Sequence, residues 1–223
     1  AATPFIRDKF LGLGGRGLDV NNYPRADELA SKATGGARNN EVCYIGGIGA
    51  IRGICEVVDA MGRTASGVRL SLGGPFEGEA TKAEVAGMPG WAKVDHLGNL
   101  SRLEVRDVMG RSMAGIVTFL PLPNHIAAQP NKMFEYMSAG LPVIASNFPL
   151  WREIIEGNDC GLCVDPLDAA AIAAAIDRLA AHPEDVARMG ANGRKAVAER
   201  YNWAVEEGKL LDFYKTVSAA SPG

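Results

Sequence analysis

The stretch QPNKMFEYMSAGLPVIASNFPLWREI, residues 129–154, decides how the rest of the chain is read. Pro130 and Asn131 mark a helix start, with Asn131 as N-cap and Gly140 as the stop. Phe134, Met137 and Leu141 recur at helical spacing and predict a core-facing side. Lys132 and Glu135, three residues apart, then share another face. After Gly140 the run PVIAS (142–146) is short, apolar and β-branched, which predicts a buried strand.

Lys132 is the unusual residue of this stretch. A cation in the first turn of a helix opposes the macrodipole, at a cost of about 0.3–1 kcal/mol when exposed. The Lys-then-Glu order is also the weaker orientation for a helical ion pair. A lysine there is better explained by an anion at the helix N-terminus, held by backbone N–H groups and the ammonium together. Glu135, one turn deeper, could then accept hydrogen bonds from ribose hydroxyls. The plain alternative is a solvated surface pair, which contributes almost nothing to stability.

Working outward, the same strand pattern repeats. VCYIGGI (42–48), VRLSLGG (68–74), WAKVDHLG (91–98), GIVTFLP (115–121) and GLCVDP (161–166) join PVIAS as six strand candidates, each beside a helical pattern. Such alternation predicts βαβ units and a parallel sheet, and the nearly continuous apolar runs predict helices on both faces. Asp168 is an expected N-cap, Pro183 an expected helix opening, and Leu210, Leu211 and Tyr214 give the last helix an amphipathic face. In open parallel sheets ligands bind beyond the carboxyl ends of the strands. Here those ends carry Gly46–Gly47, Gly73–Gly74, Leu97–Gly98 and Leu120–Pro121.

Residues 1–40 differ in composition. LGLGGRGLDVNNYPR reads as loop, and ADELASKATGGARNNE as one weak helical turn followed by linker. The segment therefore reads as a connection from something upstream, with the domain at 41–217 and a flexible tail at 218–223.

The bulk numbers exclude several classes. With 47% hydrophobic and 22% charged residues and a net charge of −3, the chain has an ordinary globular composition. No overall positive charge is present to attract nucleic acid or an anionic membrane, so any anion site must be local. No apolar run approaches the roughly 18–20 residues of a membrane span. The start, AATPFIRDKF, does not read as a signal peptide, and a cytoplasmic location is expected. Cys160 and Cys163 form a C-x-x-C, but Cys43 and Cys55 are twelve apart and the three histidines are scattered. Core packing is the expected role of these thiols, rather than zinc or redox chemistry.

The run NKMFEYMSAGLPVIAS (131–146) closely resembles the donor-binding helix and following strand of retaining GT-B glycosyltransferases of family 4, especially bacterial surface-polysaccharide enzymes. The resemblance extends to GGIGAIRG (46–53), LGGPFEGE (72–79), HLGNLS (96–101), GLCVDP (161–166) and YNW (201–203). It implies a doubly wound, six-stranded Rossmann-like sheet forming the C-terminal half of a GT-B fold. NNYPR (21–25) resembles the segment that leaves the N-terminal acceptor domain in such enzymes, so residues 1–40 are expected to be its remnant.

Residue by residue, the resemblance makes Glu135 the ribose binder and Arg52 with Lys132 the catalytic basic pair that neutralises the donor diphosphate. Gly47, Gly74, Leu97, Gly98 and Asn131 match positions lining the nucleotide. Two positions depart from the pattern. The first glutamate of the family's Glu–seven residues–Glu motif falls at Ala127, and an arginine common after the first glycine of the opening strand is replaced by Gly47. Asn124, His125 and Gln129 are the candidates left to hold the donor sugar.

The implied reaction moves a sugar, with retention, from a nucleoside diphosphate to a saccharide or lipid-linked acceptor. Arg52 and Lys132 would take the place of a divalent metal; the chain has no Asp-x-Asp motif, and neither a metal nor a further cofactor is expected. A UDP-sugar is expected over a GDP-sugar. The missing acceptor domain would supply most acceptor contacts, leaving this chain alone inactive, and a peripheral position at the inner membrane face fits the resemblance.

Three rivals stay open. A dinucleotide-dependent oxidoreductase is disfavoured because Gly47, Gly49 and Gly53 lack the G-x-G-x-x-G spacing and no acid ends the next strand. A GT-B sugar-nucleotide epimerase would need acid–base groups near the sugar, for which His125 is the candidate. A non-catalytic nucleotide-binding module is kept open by Ala127.

Overall fold

Consecutive residues of the first strand, Val42, Cys43 and Tyr44, are all fully buried, which requires cover on both faces of the sheet. In the computed structural model, which describes residues 1, 3–14, 17–25 and 39–219, that cover is helical. The strands are β1 (Glu41–Ile45), β2 (Arg69–Gly73), β3 (Val94–Gly98), β4 (Ala114–Val117), β5 (Val143–Ser146) and β6 (Gly161–Val164). They form one parallel sheet in the order β3-β2-β1-β4-β5-β6. This is the expected doubly wound, Rossmann-like architecture. Its strand order reverses between β1 and β4, the crossover at which open α/β sheets bind ligands.

Alternate side chains feed two cores. Val42, Tyr44, Leu70, Leu72, Ile116 and Ile144 pack on one face beneath α2 (Ile54–Arg63) and α8 (Ala169–Ala181). Cys43, Ile45, Val117, Val143 and Ala145 pack on the other. There the cover comes from α4 (Arg102–Arg111), α6 (Asn131–Ser138), α7 (Pro149–Ile155) and α9 (Pro183–Glu199). α3 (Glu79–Ala86) and the four-residue α5 (Pro123–Ile126) complete the crossovers. Asp168 caps α8 as expected, accepting from the Ala170 and Ala171 amides, and Pro183 opens α9. Cys160 and Cys163 are free thiols that burial pushes up to about 12, as core packing requires.

Several local expectations are corrected. The cap of α6 is Pro130 (φ −68°, ψ 129°), and Asn131 is the first helical residue. Proline already holds the extended conformation of a cap but has no side-chain acceptor, and among the described residues no side-chain capping hydrogen bond closes this helix start. WAKVDHLG is shorter as a strand because its start lies in the 3₁₀ turn Pro89–Lys93. GIVTFLP leaves the sheet after Val117, and Leu120 N–H donates to Ile51 O (3.0 Å) instead. Leu211 and Tyr214 of α10 (Trp203–Ala219) are 55% and 61% exposed, so the amphipathic face expected there is not buried by the described residues.

The N-terminal segment is not simply loop: α1 (Pro4–Leu11) forms behind an N-cap at Thr3, whose hydroxyl accepts from Ile6 N–H. Thr-Pro is the ordinary signal for such a start, but α1 buries none of its residues, so no apolar period marks it. Further on, the Tyr23 ring packs against Phe134 (4.6 Å) and Tyr201 (5.6 Å), and Trp203 N–H donates to Pro24 O. Residues 26–38, which include the expected weak helical turn, lie outside the described residues, as do 220–223 of the expected tail. α10 runs through 218 and 219, where that tail was expected to begin. No helix among the described residues is long and apolar enough to cross a membrane.

Candidate functional site

Tyr136 carries the register between helix and sheet. It is fully buried, and its hydroxyl accepts the Ile45 N–H (2.9 Å), pinning α6 to the end of β1 where Gly46 begins. One turn earlier on α6, Lys132 is thereby brought under the glycine turn: a Cβ on Gly46 would stand 3.5 Å from Lys132 Cε. Lys132 is only 8% exposed, and its Nζ has no hydrogen-bond partner among the described residues. The ammonium lies 3.9 Å from the Tyr44 ring centroid and 5.5 Å from that of Phe119. These π faces supply part of what water would. Burial first, and the nearby Arg52 charge second, push the Lys132 pKa down to about 7.

Arg52 reaches the same place from the 3₁₀ turn Ala50–Arg52. The Tyr44 hydroxyl contacts Gly47 O and Arg52 O at 3.3 Å each, and the Leu120–Ile51 bond ties this turn to the end of β4. Gly53 must be glycine: its φ is 77°, and a Cβ would stand 1.9 Å from Thr118 O. The Arg52 guanidinium stands 5.5 Å from the Phe119 ring, and its Nε is 2.8 Å from Glu77 Oε1. Two cations from opposite sides of the crossover thus meet over one aromatic ring.

The remaining edge is backbone. Gly46 N–H donates to Gly73 O and Gly74 N–H to Gly98 O, both at 2.8 Å, linking the glycine turns of three strands. At Gly74 (φ 134°) a Cβ would stand 2.0 Å from Gly46 O, so two turns nest there at a distance only glycine permits. Gly47, Gly74, Leu97 and Gly98 are thereby placed along one continuous edge.

Glu135 is brought to this edge but does not pair with Lys132. Its Oε1 accepts from Arg102 Nη1 at 2.9 Å, with the Glu135 side chain 20% exposed. Arg102 and Glu77 are the residues that sequence reasoning missed. Arg102 follows the α4 N-cap Ser101, so it carries the same first-turn anomaly that singled out Lys132. Glu77 stands inside LGGPFEGE with no periodicity to mark it.

The three sugar candidates divide. His125 is buried, with Nδ1 3.0 Å from Leu120 O and its ring 5.0 Å from Phe119, so it joins the aromatic floor of the cation site. Asn124, Gln129 and Asn131 instead line an adjoining cavity of about 390 Å³, together with Ala127, Tyr23 and residues of α1. Gln129 Oε1 already accepts from Tyr23 Oη (2.7 Å), and Trp151 Nε1 holds the intervening loop through Ala128 O (2.7 Å). Among the described residues, no group of three or more His, Cys, Asp or Glu side chains is placed to hold a metal.

A family model described as glycosyl transferases group 1 matches residues 39–182. A phosphatidyl-myo-inositol mannosyltransferase of Mycobacterium leprae is 33% identical over 88 residues, covering 40% of this chain and 23% of that protein. A GDP-mannose-dependent phosphatidylinositol monomannoside mannosyltransferase of Mycobacterium tuberculosis is 35% identical over 86 residues, 39% of this chain and 22% of that protein. The match therefore spans less than a quarter of either relative. Among solved structures, Anabaena HepE in complex with UDP superposes with a TM-score of 0.81 at 17% identity, covering 97% of this chain and 63% of that one. The C-terminal domain of the group 1 glycosyl transferase LpcC from Francisella tularensis gives 0.66 at 17% identity, covering 80% of this chain and 98% of that one. The family model runs through more than half of the sequence and the superpositions reproduce the sheet. The chain therefore shares the fold of these glycosyltransferase structures and belongs to the glycosyl transferases group 1 family.

Proposed function

We propose that this domain binds the nucleoside diphosphate of a sugar donor at the β1/β4 crossover and acts in retaining glycosyl transfer. The observation that carries this reading is Lys132: a buried ammonium that, among the described residues, has no hydrogen-bond partner, at a helix opening without a side-chain cap and beside a second cation. In this reading the diphosphate lies between Lys132 and Arg52, the glycine edge lines the nucleotide, and Glu135 accepts from the ribose. As the glycosidic bond breaks, negative charge collects on the departing diphosphate. Cations fixed at that place stabilise the transition state, by several kcal/mol in comparable sites. His125, Asn124 and Gln129 are assigned to the donor sugar.

The HepE structure holds UDP, and one mycobacterial relative is named for GDP-mannose. A uridine donor remains our preferred assignment, and guanosine is the comparison. Acceptor recognition, of a saccharide or a lipid-linked sugar, falls to a second domain across the cleft. Ala127 favours one other reading. A non-catalytic nucleotide-binding module would need the cation site but not the missing glutamate, and Ala127 lines the cavity where that carboxylate would stand.

Titration calorimetry of the chain with UDP, GDP and their sugars tests the assignment. Binding is expected, weakened by roughly 1–3 kcal/mol in Lys132→Ala and in Glu135→Ala, as for charged hydrogen bonds lost. No heat with any of these ligands at millimolar concentration, or unchanged affinity in both variants, sinks it. Sugar release from the donor by the chain joined to its acceptor domain separates enzyme from module.

A further inference from the structure

Glu77 has no part in the donor site as assigned above, yet its carboxylate sits in the middle of that site. Besides the 2.8 Å contact with Arg52, it lies against the glycine turn after β1. A Cβ at Gly49 would stand 2.2 Å from Glu77 Oε2, and one at Gly47 3.1 Å from Oε1. The backbone under it is fixed: Glu77 N–H donates to Ile48 O at 2.8 Å, and Ile48 and Phe76 form a parallel bridge. The side chain has room to turn, being 42% exposed and followed by Gly78, around whose Cβ position no atom of the described residues lies within 4 Å. The chain has therefore placed a rotatable anion on a rigid turn, against one of the two cations that a diphosphate would use.

An anion so placed opposes an anionic ligand by volume and by charge, and both oppositions vanish if it rotates into solvent. We propose that Glu77 is a resident competitor for the diphosphate: in the empty cleft its carboxylate occupies Arg52 and the glycine turn, and it swings out when the donor binds. This rests on the donor-site reading above. Two consequences follow for the site. Free anions meet a cleft whose arginine is already neutralised. The nucleoside diphosphate left after transfer is held less tightly than the cations alone would hold it, so its release is eased.

The test is titration of the wild-type chain and Glu77→Gln with UDP, GDP and pyrophosphate at low ionic strength, with uridine and guanosine as uncharged controls. Glutamine keeps the shape and removes the charge. Glu77→Gln is expected to bind the diphosphates roughly two- to fivefold more tightly, the scale of a half-exposed ion pair lost as a competitor. The nucleosides should bind equally to both proteins, and added salt should shrink the gain. Diphosphate affinity that stays equal or falls in Glu77→Gln would overturn the proposal and leave Glu77 as a residue that merely positions Arg52. An equal gain for the nucleosides would overturn it too, because the effect would not be one of charge. Wild-type binding without a gain rejects the competitor alone; absence of binding by both proteins rejects the donor site with it.

Discussion

Two buried charges in this domain are treated in opposite ways. Glu206, at 0% exposure on α10, is surrounded by donors: Asn21 N–H at 2.8 Å, Asn21 Nδ2 at 3.4 Å and Lys209 Nζ at 2.6 Å. Asn21 in turn donates to Asp19, which pairs with Arg7. Lys132, at 8% exposure on α6, has two aromatic rings and no hydrogen-bond acceptor among the described residues. Desolvating a charge costs several kcal/mol unless partners compensate. At Glu206 the chain provides them, and the group ties residues 19–21 to the last helix. At Lys132 the compensation is partial, which suits a group whose partner arrives from solution. The difference teaches that a buried charge serving structure and one serving a ligand are told apart by their partners, not by their depth.

The sharpest way to break this contrast is to remove both groups and measure stability. Glu206→Ala should destabilise the domain by about 1–3 kcal/mol in denaturant unfolding, because the buried Asn21 amides lose their acceptor while the part-exposed Lys209 can turn to water. Lys132→Met should be neutral or stabilising by about 1 kcal/mol, since a long apolar side chain fits the same rings without desolvating a charge. A Lys132→Met variant that unfolds as readily as Glu206→Ala would end the distinction.

A second comparison is in pH. The folded Lys132 pKa is pushed down to about 7, against roughly 10.4 in an unfolded chain. Between those values the unfolded state holds the extra proton. This residue's contribution to stability should therefore rise with pH from about 7 to about 10 and be flat below 7. Lys132→Met should lack that component of the slope. The ligand side of the linkage has the opposite sign. A bound diphosphate raises the lysine pKa, so binding at pH 8 should take up as much as one proton, and affinity should fall as pH rises above 7. Calorimetry at pH 8 in two buffers of different ionisation enthalpy measures this directly, above the phosphate's own titration near 6. Equal heats in both buffers would mean that Lys132 does not meet the diphosphate.

The site was legible in proportion to how local its signals are. Lys132 stood out because a first-turn cation opposes the helix dipole, and Gly47, Gly74 and Gly98 because glycines gather at strand ends. Arg102 carried the same first-turn signal, but its partner Glu135 is 33 residues away in sequence, so nothing local paired them. Glu77 had no signal of its own: its importance comes from Arg52 and Gly49, which lie a helix and a strand earlier in the chain. α1 was missed because it buries nothing, and the Asn131 cap because a proline before it already has the required backbone.

By itself, then, the sequence determined the alternation of apolar runs with helical patterns. From that follow six parallel strands covered on both faces, the glycine-lined edge, and the family to which the chain belongs. Only the tertiary structure decided which charges meet. It left Lys132 beneath Tyr44 with no hydrogen-bond partner among the described residues, gave Glu135 to Arg102 and laid Glu77 on Arg52. The physical reason is range: propensity, period and capping act within a turn or two of the chain. A Coulomb partner is set by which strands end side by side, and no local pattern encodes that.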